Sequence, residues 1–466
     1  MLPACRTPED VYTIPQFALT SHDVAGLLDE LRDFHGVFQD CFVRSEPREH
    51  FFRYMVGQFS TLERKSIEPI AMQTDASSVR SMQRWISDVQ WHEPRMLETY
   101  HHLIAEDMGE PDGVLIVDET GFAKKGQDSV GVARQYCGTL GKVENCQVGV
   151  FAAYASRQGY ALVDKRLFLP EAWFTEAYGA RRTKCKVPDD LVWQSKPQLA
   201  AAMVDAIHRA GVLPFKYIVA DCLYGNSPHF WAVCEACVGT VAFVAVPEDT
   251  RCWLQPLATQ PHTYRYGGEA HTKRVIVSPN TPSQAVEELA QAIGTTFWYR
   301  RTVSEGTKGP ITYEFARRRV TLCKDGQPTH TVWLVMKRSL GDNPRYWYYM
   351  SNAPVSTPLS RFVWLSGLRW AIEQCFEETK TDLGLAHYEI RKYAGWHHHM
   401  LTGMLAHFFL WHLKLRLGKK SSSAYGIPGA AASGGGLTPQ NLYSGGGATV
   451  GAANAAAQPW SLPGAS

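Results

Sequence analysis

Two aspartates each follow a short run of apolar residues. Asp118 ends the run at residues 114–117, and Asp221 ends the run at residues 217–220. Such runs are typical of strands buried on both faces. If the two strands are neighbours in one sheet, both carboxylates lie at one edge, where like charges raise the pKa unless a cation lies between them. The pair therefore predicts a site for a hard divalent ion such as Mg²⁺. The alternative is that each aspartate caps the turn after its strand.

A third acid for such a site must come from the strong helix predicted at residues 361–383. Its candidates are Glu373, Glu377, Glu378 and Asp382. One helical face carries Arg369, Glu373, Glu377 and Lys380, at positions i, i+4, i+8 and i+11. That face is either a salt-bridged surface, with a Glu377–Lys380 pair, or a site where Glu373 binds metal while Arg369 and Lys380 hold DNA phosphates. Spacing alone leaves both interpretations open.

The elements that must position these acids begin with helices. Apolar residues recur at helical spacing through residues 20–108, and the pattern predicts helices at residues 77–89 and 94–108. This segment is either a helical DNA-binding domain or a plain helical bundle, and its sequence does not separate the two.

Strand patterns dominate after residue 113. Strands are predicted at residues 114–117, 146–155, 160–169, 217–220 and 240–246, and helices at residues 196–210 and after Ser227. The link at residues 156–159 is too short for a crossover helix and indicates a hairpin. The order therefore favours an α/β fold with a ribonuclease-H-like mixed sheet over a doubly wound parallel sheet.

Composition and pattern divide the chain into five segments. We expect a helical N-terminal domain at residues 1–108, the first part of the ribonuclease-H-like core at 109–248, a β-rich insertion at 249–360, C-terminal helices completing the core at 361–420, and a disordered Ala/Gly/Ser-rich tail at 421–466. Within the insertion, strands are predicted at residues 311–321 and 329–336, and a further helix follows at 395–417.

The net charge of +2 excludes a uniformly basic nucleic-acid-binding protein. Any DNA contact must come from local basic runs, and each run is equally well interpreted as a solvated surface. These runs lie at residues 181–186, 317–319 and 414–420. The start of the chain lacks a signal-peptide pattern and no apolar stretch is long enough for a membrane span, so we expect a cytoplasmic protein, nucleoid-associated when bound to DNA.

Two further motifs resemble metal sites but favour structural interpretations. Cys234 and Cys237 form a lone C-x-x-C without a second pair, which indicates buried helical cysteines. The run His397, His398 and His399 lies on a predicted helix, where consecutive side chains point in different directions and do not grip one ion.

The sequence around the acids resembles a known family. Residues 117–126, VDETGFAKKG, and 131–138, GVARQYCG, resemble the first catalytic block of DDE-superfamily insertion-sequence transposases of the IS701 group. Residues 221–226, DCLYGN, resemble their second block. The spacing Arg369-x3-Glu373-x6-Lys380 matches the signature around the third acid in the related IS-four superfamily, except that Ser366 stands where that signature begins with Tyr. The resemblance extends from about residue 34 to residue 416.

The resemblance implies a DNA transposase that cleaves the ends of an insertion sequence and joins the 3′-hydroxyl to target DNA by two-metal phosphoryl transfer. It implies Asp118, Asp221 and Glu373 as catalytic residues and ligands of two Mg²⁺ ions, with Mn²⁺ as a substitute. Positive groups expected near DNA phosphates are Arg369, Lys380, Lys124, Lys125 and Arg134. The expected partners are element-end and target DNA and a second copy of the chain in a homodimeric DNA complex, with no membrane.

Two alternatives share these sequence features. One is a metal-dependent nuclease that cuts without joining, and the other is a transposase-derived DNA-binding protein without catalysis. The presence of an acid at all three positions argues against the second.

Overall fold

The computed structural model describes residues 21–74, 78–277, 282–306 and 309–424. In this part of the chain helices come first, a large mixed sheet follows, and helices cover the sheet. The predicted mixed α/β class and the helical N-terminal region are therefore confirmed. The tail predicted as disordered lies outside the described residues from position 425 onward.

Five helices make up the described N-terminal region: α1 (Ser21–Gly36), α2 (Ser45–Phe59), α3 (Ile67–Gln73), α4 (Val79–Asp88) and α5 (Glu93–Met108). The side chain of Ser78 caps α4 by accepting from the backbone N–H of Ser81 at 3.0 Å. Buried aromatic side chains, among them Phe51, Tyr54 and Trp85, join these helices to the main core of the molecule. The region therefore packs as part of one continuous core.

The strands around the two aspartates form the centre of the sheet. They are β1 (Val114–Ala123), β2 (Ala133–Cys137), β3 (Lys142–Ala155), β4 (Tyr160–Phe168), β5 (Tyr217–Ala220) and β6 (Val241–Val246). β1 pairs antiparallel with β3 and parallel with β5, and β5 pairs parallel with β6. β3 and β4 form the antiparallel hairpin that the short link predicted.

The helices between these strands are α6 (Gly179–Lys184), α7 (Lys196–Ala210), α8 (Cys222–Gly225) and α9 (Pro228–Ala236). α7 begins and ends where the sequence predicted, with Pro197 in its first turn and Gly211 after its end at a φ of 63°. The cysteines of the lone C-x-x-C motif, Cys234 and Cys237, are both buried, as expected.

The β-rich segment continues the same sheet. Its elements are β7 (Arg251–Trp253), β8 (Thr259–Tyr266), β9 (Glu269–Ile276), β10 (Gln284–Ala285), α10 (Val286–Ala292), β11 (Tyr299–Gly306), β12 (Gly309–Lys324), β13 (Gln327–Arg338) and β14 (Tyr346–Ser351). β14 pairs with β6, which gives the strand order β10-β7-β12-β13-β14-β6-β5-β1-β3-β2; β11 adds to β12 and β4 to β3. Among the described strands only β8 and β9 stand apart, as a two-stranded ribbon.

Three helices close the described chain: α11 (Leu359–Ser366), α12 (Trp370–Thr381) and α13 (Tyr393–Ala424). The single helix predicted at residues 361–383 is wrong, because the chain breaks between α11 and α12. At the break Gly367 lies against Val303 of β11, where an added Cβ would be 2.5 Å from Val303 Cγ1. The break places Arg369 at the start of α12.

Residue alternation along β1 decides which helix each side chain meets. Asp118 lies opposite Phe151 of β3, and the Phe151 ring contacts Phe376 of α12 and Trp396 of α13. The face of the sheet that carries Asp118 is therefore covered by α12 and α13. No helix in the described part of the chain has the length and apolar character needed to cross a membrane.

Candidate active site

The strand register brings Asp118 and Asp221 to neighbouring positions. The parallel pairing of β1 with β5 ends at Val117 opposite Ala220, so the next residue on each chain is an aspartate. Neighbouring strands lie about 4.8 Å apart. Asp118 does not end its strand as the sequence suggested, because β1 continues to Ala123 along β3. Asp221 does end β5, and its Oδ1 accepts from the Leu223 backbone N–H at 2.9 Å.

Both aspartates are destabilised in their charged form. Burial raises the pKa of Asp118 to about 7, the Asp221 charge adds to the rise, and Arg369 opposes it. Burial also raises the pKa of Asp221, with a further contribution from the Glu119 carboxylate. An additional positive charge at this edge would stabilise both carboxylates.

Arg369 links the first acid to the third. Its Nη1 donates to Asp118 Oδ2 at 2.8 Å, and its Nη2 lies 2.5 Å from Glu373 Oε1. Burial lowers the pKa of Arg369, but the facing charges of Asp118 and Glu373 outweigh this and raise it overall. The guanidinium thus lies between two of the predicted ligands.

Among the four candidate acids of the C-terminal helices, Glu373 is the one that this guanidinium connects to Asp118. Glu378 instead accepts from the Tyr160 hydroxyl at 2.8 Å and pairs with His407 at 2.7 Å. Glu377 is exposed, and the Lys65 ammonium donates to the backbone carbonyl of Asp382.

The carboxylates of this site are suitable ligands for a metal ion, but the guanidinium of Arg369 lies between two of them. Hard divalent ions take carboxylate oxygens, which Asp118, Asp221 and Glu373 would supply here. No three His, Cys, Asp or Glu side chains in the described ranges converge closely enough to hold an ion directly. The Arg369 guanidinium between Asp118 and Glu373 accounts for this, so a full ligand set needs that side chain, or the half-exposed Glu373, to change rotamer.

Glu119 is a polar residue of the site whose structural role was not predicted from the sequence. It points to the opposite face of β1, where Lys196 of α7 lies 2.7 Å from its Oε1 and the Tyr224 hydroxyl donates to its Oε2 at 2.7 Å. Tyr224 belongs to α8, which begins right after Asp221. Glu119 therefore joins the segment after β5 to β1 and fixes the two aspartates relative to each other. The sequence feature that could have indicated this role is the position of Glu119 and Tyr224 in the DET and DCLY motifs, close to the two aspartates.

Lys380 does not pair with Glu377, which was one of the two interpretations of this helical face. Its Nζ donates to Thr120 Oγ1 at 2.7 Å, to the Gly121 carbonyl at 3.1 Å and to Thr139 Oγ1 at 3.0 Å. A lysine ammonium has three N–H donors, so all three are directed into the protein. Burial lowers the pKa of Lys380 to about 8.

The three remaining predicted phosphate contacts lie away from the acids. Lys124 is six residues beyond Asp118, about 20 Å along an extended strand. Its Nζ donates to the Tyr388 carbonyl at 2.9 Å and lies 3.3 Å from the Tyr388 ring centroid. Burial lowers the pKa of Lys124 to about 7. Lys125 and Arg134 are exposed beside it.

A buried lysine that sequence reasoning did not single out lies at the same edge of the sheet. Lys337 of β13 is 8% exposed, and its Nζ lies 4.6 Å from the ring centroids of both Tyr313 and Trp347. Burial, followed by the nearby charges of Arg369 and Arg345, lowers its pKa to about 8. Its position depends on the pairing of β12, β13 and β14, for which no sequence signal exists.

The three consecutive histidines are buried structural residues. The His398 ring stacks on Trp91 at 4.0 Å, and the ring nitrogens of His399 contact the Tyr54 hydroxyl and the Leu385 carbonyl. Burial lowers the pKa of all three, to about 3 for His397 and about 4 for His398 and His399.

Comparison with known proteins identifies the family. Residues 37–310 match the family model described as DDE superfamily endonuclease, which covers Asp118 and Asp221 and ends before Glu373. The chain belongs to the DDE endonuclease superfamily.

The chain is also similar to a curated protein named "Probable transposase for insertion sequence element IS701" from Microchaete diplosiphon. The two are 23% identical over 345 residues, which cover 73% of this chain and 77% of the relative. The predicted resemblance to this group is confirmed. A solved piggyBac transposase synaptic complex with hairpin DNA matches 87% of this chain and 74% of its own, with 9% identity and a TM-score of 0.38.

Proposed function

We propose that this protein is a DNA transposase of the IS701 group, which cleaves the ends of an insertion sequence and joins the freed 3′-hydroxyl to target DNA. The observation that carries the proposal is the convergence of Asp118 and Asp221 on adjacent parallel strands, with Glu373 joined to them through Arg369. Family membership and the similarity to the IS701 protein agree with it.

We assign the catalytic core to a ribonuclease-H-like fold. Support comes from the order β4-β3-β1-β5-β6, in which β3 is antiparallel to both of its neighbours, β4 and β1, and β5 and β6 run parallel to β1. Asp118 lies on β1, the middle strand of that order, and Asp221 directly follows the adjacent strand β5. In this assignment β7–β14 are an insertion between the second and third acids that extends the sheet.

Asp118, Asp221 and Glu373 would hold the divalent metal, in the proposal two Mg²⁺ ions with Mn²⁺ as a substitute. The donors are carboxylate oxygens, and the raised pKa values of the two aspartates favour a cation at this edge. When bound, Mg²⁺ supplies an activated oxygen nucleophile and charge stabilisation for an in-line displacement at phosphorus.

The residues of this chain have separate tasks in that reaction. Arg369 holds Asp118 and Glu373 apart and neutralises them, and its planar fork can bind a phosphate once these partners are exchanged. Lys380 fixes α12, and with it Glu373, against β1. Glu119 fixes the segment after β5.

The proposed contacts to DNA follow the exposure of the basic side chains. Arg369 contacts the phosphate at the cut, and the exposed Lys125 and Arg134 contact phosphates on the flank of the duplex. Lys124 is held against Tyr388 and stabilises the segment that carries Lys125, without contacting DNA itself. The active form on DNA is a homodimer, one copy for each end of the element.

The decisive experiment is a strand-transfer assay with element-end DNA and a supercoiled target. Wild-type protein with Mg²⁺ should give both nicked ends and joined products, whereas Asp118→Asn, Asp221→Asn and Glu373→Gln should each lose at least a thousandfold in rate. Glu377→Gln is the matched control, since it lies one turn further along α12 and is exposed. Nicks without joined products would show that the protein is a nuclease without strand transfer. Full activity of Glu373→Gln would show that Glu373 is not the third catalytic acid.

A further inference from the structure

The β8–β9 ribbon, residues 259–276, is not hydrogen-bonded to the main sheet. Its strands pair antiparallel from Thr259 opposite Ile276 to Tyr266 opposite Glu269, and Gly267 and Gly268 form the turn. Both glycines have positive φ values, 60° and 89°. Two central residues with positive φ are those of a type I′ hairpin turn, which preserves the twist of a two-stranded ribbon.

This ribbon has almost no packing to stabilise it. Every side chain from Gln260 to Thr272 is exposed, and its cross-strand contacts are polar or aromatic, such as Thr263 with Thr272 at 3.1 Å and Tyr264 with His271 at 5.8 Å between ring centroids. A lone two-stranded hairpin is marginally stable in water. The ribbon therefore exposes the side chains of its strands to solvent and adds little to the hydrophobic core.

The chemistry of the ribbon suits a polyanion. Its sequence contains Arg265, Lys273 and Arg274 against the single acid Glu269, while the whole chain is nearly neutral at +2. Tyr266 at the tip is 77% exposed, and its hydroxyl and the exposed imidazoles of His262 and His271 can donate and accept hydrogen bonds. A net positive sequence and exposed hydrogen-bonding side chains on a two-stranded ribbon match the major groove of duplex DNA, which admits such a ribbon.

The base of the ribbon has a defined distance from the acids. The ribbon leaves the sheet after β7 and returns at β10, which pair with each other. Six strand spacings separate β7 from β1 in the sheet order, about 29 Å at 4.8 Å per spacing. That span is less than one helical turn of DNA, about 34 Å. β9 also contacts β13, which lies between the ribbon's base and β1.

We propose that the β8–β9 ribbon enters the major groove of the DNA duplex within about one helical turn of the phosphodiester bound at Asp118. This location relative to the cut rests on the proposed function. Arg265 contacts a phosphate at the groove wall, and the tip around Tyr266 reaches base edges.

Binding titrations test the electrostatic part. Anisotropy would be measured on duplex DNA at several salt concentrations in chelator, with Asp118→Asn as the parent protein so that no cutting occurs. Arg265→Ala should weaken binding about threefold or more and reduce the slope of log K against log salt by about one unit. The matched control is Arg157→Ala, an exposed arginine in the turn between β3 and β4. Equal slopes for ribbon, control and parent proteins would overturn the proposal.

Groove entry has its own readout. Dimethyl sulfate methylates guanine N7 in the major groove, so the parent protein should protect guanines within about ten base pairs of the cut, and the ribbon variant should not. Protection that is identical in both proteins would overturn groove entry. If wild-type protein cuts no DNA while the ribbon variant still loses affinity and protection, the proposed catalytic function fails and the ribbon contact stands. The melting temperature of the variant should match that of the parent, because the ribbon adds no core.

Discussion

The Lys380 ammonium lies 2.7 Å from the Thr120 hydroxyl, two residues beyond Asp118 on the same face of β1. This contact, with those to the Gly121 carbonyl and to Thr139, clamps the end of α12 onto the strand that carries the first acid. Glu373 lies two turns earlier on α12, so the position of this proposed third acid depends on the contacts of Lys380.

Replacing Lys380 with Met should therefore affect the fold before it affects DNA. The change leaves two buried acceptors, the Thr120 hydroxyl and the Gly121 carbonyl, without this donor, so the free energy of unfolding should fall by about 1–3 kcal/mol. The rate of cleavage should fall as Glu373 loses its position, while the salt dependence of DNA binding stays unchanged. Chemical denaturation and salt titrations measure the two effects. Lys125→Met, at an exposed position, is the control for stability. A salt slope reduced by one unit at unchanged stability would instead make Lys380 a phosphate contact.

Mg²⁺ should stabilise the folded protein through the two aspartates. A ligand that binds only the folded state adds about 2.7 kcal/mol at a concentration one hundred times its dissociation constant. We expect the melting temperature to rise with Mg²⁺ at pH 8 in wild type and in Glu377→Gln, but not in Asp118→Asn/Asp221→Asn. Differential scanning fluorimetry measures this without any DNA present. An equal rise in the double variant would place the ion elsewhere.

The protein should lose stability as the pH falls below 6.5. The pKa values of His397, His398 and His399 are lowered to about 3, 4 and 4 by burial. A group whose pKa is lower in the folded state contributes full stability above its unfolded pKa and loses it as the pH falls toward the folded pKa. At pH 5 each histidine should cost about 2 kcal/mol relative to pH 7.5.

The variant His398→Gln isolates one of these histidines. Denaturation at pH 7.5 and pH 5 should show a pH dependence smaller by about 2 kcal/mol than in wild type, whatever the loss of absolute stability. His229→Gln, an exposed histidine of α9, should leave the pH dependence as it is. An unchanged difference between the two pH values in His398→Gln would contradict the assignment.

Replacing Lys337 with Met should stabilise the protein, the opposite of the result expected at Lys380. Among the described residues Lys337 has aromatic rings around its ammonium and no carboxylate or carbonyl acceptor. Because its pKa is lowered from 10.5 to about 8, the charged form costs stability below pH 8, and this cost disappears as the pH rises from 8 toward 10.5. The gain at pH 7 should be about 1–3 kcal/mol and should vanish near pH 10. Destabilisation at pH 7 would show that the cation–π contacts outweigh burial.

The sequence predicted those parts of the site that depend on local pattern. An apolar run followed by an acid located Asp118 and Asp221, and helical spacing put Arg369 and Glu373 on one face. The break at Gly367 was not predictable, because it arises from contact with Val303, more than sixty residues earlier. The orientations of Lys124 and Lys380 depend likewise on acceptors distant in sequence, Tyr388 and Thr120.

The fold shows the same division. Hairpin and strand positions followed from alternation and turn length, whereas the pairing of β14 with β6 joins segments separated by about one hundred residues. Nothing in either strand specifies its partner, since β-strand pairing is set by burial and register rather than by a residue code.

The pairing of β14 with β6 also fixes the distance between the ribbon's base and the two aspartates. Because the hydrogen-bonded ladder runs without interruption from β7 to β1, the spacing between the ribbon's base and the acid pair is counted in strands and resists stretching, whereas a hinge between separate domains would let it vary. If a DNA duplex contacts both the ribbon and the aspartates, the length of DNA between the two contacts is therefore set by the number of intervening strands. Inserting or deleting base pairs between the two contacts should change which phosphodiester reaches Asp118.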